Sequence, residues 1–172
     1  MKYEVIRSQD QWHALRSQWN SLLVESRANQ LFMTWEWLDC WLRVQRSVTD
    51  LKIICVRGPD GALLGAAPFY VDNYRLLDIL PYRMLRMIGD VDSGAEYQTW
   101  IARVSDEDRV CAVIARAMSA LRSEWDLLWI PNLESWTGAH EPMVRALRAG
   151  RLGIRSRPRD FSTVALPADY DA

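Results

Sequence analysis

Cysteine is scarce and poorly placed for cross-linking. Cys40, Cys55 and Cys111 are an odd set, widely spaced among apolar neighbours. They give no disulfide framework and no C-x-x-C pair, so buried reduced thiols in a reducing compartment are expected. Histidine is scarcer still. His13 and His140 lie far from any cysteine, which argues against a zinc site and leaves little for a His-based triad. No stretch approaches about 18 apolar residues, so no membrane span is expected. The first six residues lack the charged-then-apolar run of a signal peptide, and a soluble cytoplasmic chain is the expectation. Neither sign of charge is in excess. With 21 basic against 22 acidic residues, no whole-chain field draws the protein to nucleic acid or to an anionic membrane. Lysine is nearly missing, two against nineteen arginines, which reads as genome composition.

What is present is an ordinary amount of apolar residue, 49%, with 25% charged, in 172 residues. That fits one globular domain and excludes a disordered or low-complexity chain. Nine tryptophans are unusual for this length. They imply a well-filled core, an aromatic-lined cleft or interface, or both.

Along the chain, residues 3–7 read as a strand. Ser8-x-x-Gln11 is a capping box opening a helix whose stripe is Trp12, Leu15, Trp19, Leu22 and Leu23. Thr34 caps a second helix, with Glu36 in its positive first turn and a stripe of Trp35, Leu38, Trp41 and Leu42. Trp37 falls on another face, which suits a cleft, an interface or a helix buried on two sides. Residues 51–57 and 62–71 read as a hairpin around Gly58-Pro59-Asp60-Gly61. Pro68 inside the second strand marks an edge, a bulge or a splay. Residues 74–82 read as a loop, 84–88 and 96–102 as strands around an acidic turn. Ser105 caps a helix striped by Val110, Val113, Ile114, Ala117 and Leu121. A strand over 125–130, a helix over 139–149 stopped by Gly150, and strands at 154–157 and 161–166 complete the reading. The order β-α-α-β-β-β-β-α-β-α-β-β predicts an α/β (α+β) fold with a mixed central sheet flanked by helices.

Most chemical signatures are missing. There is no P-loop, no G-x-G-x-x-G after a strand, no G-x-S-x-G elbow and no H-E-x-x-H. The R/Q-x-x-G-x-G/A turn that cradles a pyrophosphate at a helix start is also absent. The best local candidate is the acidic turn, where Asp90, Asp92 and Glu96 stand beside Ser93 and Tyr97. Such carboxylates could bind a cation or amine, or supply a general base, although turn chemistry alone also explains them. The basic run Arg145, Arg148, Arg151, Arg155, Arg157 and Arg159 has few interleaved aromatics. It reads better as a solvated or intrachain-paired face than as a phosphate reader.

The succession of motifs is more telling than any one of them. Phe32-Met-Thr-Trp-Glu-Trp-Leu38 is followed by Leu63-Leu-Gly65-Ala-Ala-Pro68-Phe-Tyr70. Then come Leu85-Arg-Met-Ile-Gly89, Glu96-Tyr97 and Trp125-Asp-Leu-Leu-Trp-Ile130. Over about residues 10–166 the chain resembles the N-terminal half of the FemAB-like and CelD-like acyltransferases of the GNAT superfamily. The resemblance implies a single GNAT-like domain over 1–172, the N-terminal half of a longer two-domain enzyme of bacterial type. It implies transfer of an acyl group from acetyl-CoA, another acyl-CoA or a related donor to an amine or hydroxyl, with no metal. Family roles include cell-wall peptide branching and exopolysaccharide synthesis. The implied partners are a small-molecule acceptor and a second GNAT-like half or a second copy of the chain.

The resemblance makes Trp35, Glu36 and Trp37 candidates for the cleft end of the second helix. It makes Asp92, Glu96 and Tyr97 acceptor-side candidates and Pro68 a point where the sheet parts for an acyl group. It assigns no catalytic residue. Thr99 stands where the family often has a second acid. Because the donor-binding turn is missing, the alternative is a non-catalytic GNAT-like module that binds a ligand or partner.

Overall fold

The computed structural model describes residues 1–45, 48, 50–90, 95–133, 135–158 and 160. Asp92, Arg159 and the strand expected at 161–166 lie outside the described residues. The elements are β1 (Lys2–Ile6), α1 (Gln9–Ala14), α2 (Arg16–Val24), α3 (Trp35–Val44), β2 (Leu51–Arg57) and β3 (Leu63–Leu76). They continue with β4 (Leu80–Met87), β5 (Ile101–Ala102), α4 (Glu107–Ala120), β6 (Leu127–Trp129) and α5 (His140–Ala149). Short 3-10 turns at Leu31–Met33 and Val104–Asp106 lead into α3 and α4.

One mixed sheet runs β1-β2-β3-β4-β6, with β5 also on β3. All pairs are antiparallel except β4 with β6, which α4 makes parallel by crossing over between them. Side chains alternate between the faces of β3. On one face Trp41 of α3 packs on Tyr70, with ring centroids 5.4 Å apart. On the other, α4 presses so close to Gly65 that a Cβ there would lie 2.0 Å from Val110 Cγ1. The sheet is therefore sandwiched, and the expected mixed sheet flanked by helices is the observed architecture.

The sequence stripes explain the core. Trp12, Leu15, Trp19, Leu22 and Leu23 are all buried, although the helix breaks at Leu15 into α1 and α2. Trp12 meets Trp19 edge-on at 5.1 Å and stacks on Trp35 at 5.4 Å. Such pairs add about 0.5–1.5 kcal/mol each beyond their buried area. Ser8 accepts from Gln11 N, and Thr34 accepts from Trp37 N, as their cap positions predict. Cys55 and Cys111 are buried free thiols, but Cys40 is exposed.

Several expectations change. The loop expected over 74–82 is the far end of a long hairpin, turning through Leu77 (φ 51°) and Asp78 (φ 59°). Left-handed backbone at leucine and aspartate carries no Asn-Gly signal, so the turn is silent in the sequence. The strand expected over 96–102 shrinks to Ile101–Ala102. Tyr97 has φ 63°, and its N–H bonds to Asn132 O at 2.8 Å instead of joining a ladder. The strand expected over 125–130 forms over Leu127–Trp129, and residues 154–157 have no regular structure. Helix α4 starts at Glu107 without a side-chain cap, because the 3-10 turn absorbs Ser105. Gly150 has φ −73°, and the left-handed residue ending α5 is Arg151 (φ 58°).

Candidate functional site

Trp35, Glu36 and Trp37 are consecutive on α3, so each points about 100° from the next and no cleft can collect all three. Trp35 turns to α1, where its Nε1 donates to Trp12 O at 3.2 Å. Glu36 lies exposed against α2, held by Arg16 and Asn20. Trp37 turns to the end of β4. The expected cluster of six thus divides.

Pro68 explains what Trp37 meets. Strand β3 is internal, so Pro68 is not on an edge. Strand β4 pairs with β3 as far as Met87 opposite Phe69, and Ile88 N then donates to Pro68 O at 2.8 Å. Proline has no N–H to return, and the ladder stops. The chain turns away at Gly89 (φ 94°) and rejoins the same edge of β3 only at Ile101, opposite Ala66. Pro68 therefore sits where one partner strand hands over to the next. The parallel register of β4 and β6 ends nearby, at Arg86 opposite Trp129.

Polar atoms without partners collect along this junction. Trp37 packs edge-on against Phe32 at 5.0 Å, and its buried Nε1 has no hydrogen-bond partner. A Cβ built on Gly89 would lie 3.8 Å from that nitrogen and 2.9 Å from Gln98 Nε2. Any side chain at 89 would force Gln98 to shift, and the positive φ would strain it as well. Gln98 is buried, and its Nε2 donates to Ile88 O at 2.7 Å while its Oε1 has no partner. Thr99 Oγ1 and Trp100 Nε1, further along, are likewise buried and unpartnered. Buried polar groups are rarely left so, and each of these atoms calls for an explanation.

Asp90, singled out in the acidic turn, is not free. Its side chain is fully buried, with Oδ1 accepting from Tyr70 Oη at 3.1 Å and Oδ2 2.7 Å from Arg86 Nε. Burial pushes the Asp90 carboxyl above its ordinary range, against the pull of Arg86. Burial first and Asp90 second push the Tyr70 phenol up. Arg86 also reaches Tyr74, so these four residues form a closed polar unit beside the junction.

Glu96 and Tyr97 lie on the excursion between β4 and β5. The Tyr97 carbonyl accepts from Gln30 Nε2, and its ring stands edge-on to Trp136 at 4.7 Å. Hydrogen bonding to Glu96 raises the Tyr97 phenol. The excursion is thereby tied to the segments before α3 and after β6. Trp37, Glu96 and Tyr97 belong to this junction, while Trp35 and Glu36 face a different cleft. Gln98 and Trp136 carry no individual sequence signal, and Tyr70 and Arg86 enter only as members of the quoted motifs, not as site candidates. The basic run is partly an intrachain surface, with Arg145 2.8 Å from Asp108 and 3.6 Å from Glu141.

Among the described residues, no helix is long and apolar enough to cross a membrane. None of their His, Cys, Asp and Glu side chains group in threes to hold a metal ion. Beside Gly89 the junction holds an unpartnered indole N–H donor, on Trp37, and an unpartnered amide oxygen acceptor, on Gln98.

No protein-family model matches the chain, and no curated protein matches it significantly. Among solved structures, it is similar to the tetramutant of the BH1408 protein from Bacillus halodurans. The TM-score is 0.53 at 9% identity, over 95% of this chain and 100% of that one. A probable acetyltransferase gives a TM-score of 0.45 at 15% identity, over 98% of this chain and 99% of that one. The first likeness establishes a shared fold.

Proposed function

We propose that the chain is a GNAT-like acyltransferase domain whose donor, an acyl-CoA, enters at the junction where β4 leaves β3. The observation that carries this reading is the unpartnered pair, Trp37 Nε1 and Gln98 Oε1, beside Gly89. The pantetheine arm of a CoA thioester contains amides, each with one carbonyl and one N–H, and these complement that pair. The FemAB-like and CelD-like resemblance supports Pro68 as the point where the sheet parts for an acyl group, and it gives donor binding to the other half of such enzymes. By that resemblance Asp92, Glu96 and Tyr97 are the acceptor-side candidates. In the transfer, the acceptor amine attacks the thioester carbonyl carbon. The C–N bond forms, the C–S bond breaks, and the departing thiolate is balanced by the proton the amine loses. Asp90 is engaged by Arg86 and Tyr70, so this reading gives that proton to Glu96.

In this reading the domain is one half of a larger acyltransferase, or works with a second copy, and the family resemblance points to an envelope substrate. A second reading is a non-catalytic binding module, which the missing pyrophosphate-cradling turn favours.

Calorimetric titration with acetyl-CoA separates them. The acyltransferase reading expects saturable binding, weakened about tenfold in Trp37→Phe, which keeps the ring and removes the donor; that is about 1.4 kcal/mol. Glu96→Gln should leave donor binding intact and slow amine acetylation. No binding at millimolar acetyl-CoA would overturn the donor assignment.

A further inference from the structure

The side of α3 away from Trp37 opens on a cleft of about 350 Å³ lined by His13, Arg16, Trp35, Glu36, Asp39 and Arg43. Its floor is built before any ligand arrives. Trp35 stacks on Trp12, and the Arg16 guanidinium lies over the Trp35 ring, 5.1 Å from its centroid. The indole is thus held by both neighbours and serves as a wall.

Asp39 is the unusual residue, a carboxylate at 4% exposure on the apolar stripe of α3. A buried charge is costly unless it is paired. Its Oδ1 accepts from Trp12 Nε1 at 3.1 Å and lies 3.3 Å from His13 Nε2. Its Oδ2 lies 3.0 Å from Arg43 Nε, one turn along the helix. Glu36 is equally occupied, with Oε1 accepting from Arg16 Nε at 3.0 Å and Oε2 from Asn20 Nδ2 at 2.8 Å. Asn20 first, with Arg16, holds the Glu36 carboxyl below its ordinary range, so it stays charged.

Donors and acceptors therefore do not balance. Every carboxylate oxygen lining the cleft already has a nitrogen partner. Each arginine is anchored through Nε alone, and among the described residues no hydrogen bond takes the Nη atoms of Arg16 or Arg43. Two guanidinium forks line the cleft, and their N–H donors outnumber the lone pairs that the carboxylate oxygens still have to offer. An oxyanion would find several of these donors in fork geometry.

We propose that this cleft binds a small oxyanion, the phosphate or carboxylate group of a soluble ligand, between Arg16 and Arg43, with His13 as a third contact. The site is separate from the strand junction and does not depend on the acyltransferase reading.

Titration of the full chain with inorganic phosphate and, separately, with citrate tests this at constant ionic strength set with chloride. Saturable binding of one anion per chain is expected, and whichever probe binds tighter names the source chemistry. Arg16→Gln and Arg43→Gln should each weaken it at least tenfold. Arg43→Lys, which keeps the charge and loses the fork, should also weaken it. Arg145→Gln, on the far α5 surface, should not. If Arg43→Gln fails a circular-dichroism check, Arg16→Gln carries the test, since Glu36 keeps Asn20. Absence of saturable binding for both anions, or unchanged affinity in Arg16→Gln, overturns the proposal.

Discussion

Lys52 Nζ lies 3.2 Å from Glu124 Oε2, joining an almost wholly buried lysine on β2 to the chain just beyond α4. Arg7 grips the same carboxylate with both terminal nitrogens, at 2.8 and 2.9 Å. Glu124 thus fastens β1, β2 and the α4 end together.

Acid should undo this fastening. Arg7 first, then Lys52, lower the Glu124 carboxyl to about 2. A lowered folded-state value stabilises the protein above the ordinary carboxylate range and stops doing so as the pH falls through the folded value. The Glu124→Gln variant should therefore be less stable than the parent at pH 7, and the gap should close between about pH 4.5 and 2. Urea midpoints of both proteins across that range give the answer; a constant gap would contradict it.

Gly65 should accept no side chain. An alanine Cβ would meet Val110 Cγ1 at 2.0 Å and Ile101 O at 3.2 Å. Overpacking of this kind costs about 1–3 kcal/mol. Adding Val110→Ala removes the clashing methyl, so the double variant should lose less than the sum of the two singles. Strict additivity in chemical denaturation would show that the helix simply moves away.

Asp39→Ala should destabilise by about 1–3 kcal/mol, because Trp12 Nε1 is left in the core without an acceptor. Asp39→Asn keeps an oxygen for that indole and should cost less. Thermal unfolding of the pair distinguishes loss of the hydrogen bond from loss of charge, which would make the two variants alike.

Thiol reactivity should be unequal. Burial pushes Cys55 and Cys111 up to about 12, whereas Cys40 is exposed. At pH 8 a disulfide reagent should titrate one thiol per native chain, and three once the chain is unfolded in denaturant. Two or more fast thiols in the native protein would mean that α4 or β2 opens readily.

The helical part of this fold is legible because its signals are local. Caps at Ser8 and Thr34 and the spacing of Trp12, Leu15, Trp19 and Leu22 fix helices with no knowledge of the rest. The β4 hairpin is hidden because Leu77 and Asp78 adopt a backbone that sequence rules reserve for glycine and asparagine. Of the candidate site, Trp37 was marked by its face on α3 and Pro68 by its missing donor. Gln98 was not, since an amide in an alternating stretch looks solvent-facing until Gly89 folds over it. Asp39 left a faint trace, an acid on an apolar stripe with an arginine four residues on. Its meaning depends on Trp12, 27 residues away.

The edge of β3 that is shared by β4 and β5 has a consequence for how the molecule is assembled during synthesis. The β2–β3 and β3–β4 hairpins close over connections of only a few residues, so four strands can meet once residue 87 has emerged. The stretch of that edge at Gly65 and Ala66 must wait for Ile101 and Ala102, and β6 must wait for the whole of α4. A nascent chain therefore carries a bare edge for a time. The β3 stretch of it is short, and its Gly-Ala sequence offers an incoming foreign strand few backbone groups and almost no side chain to hold.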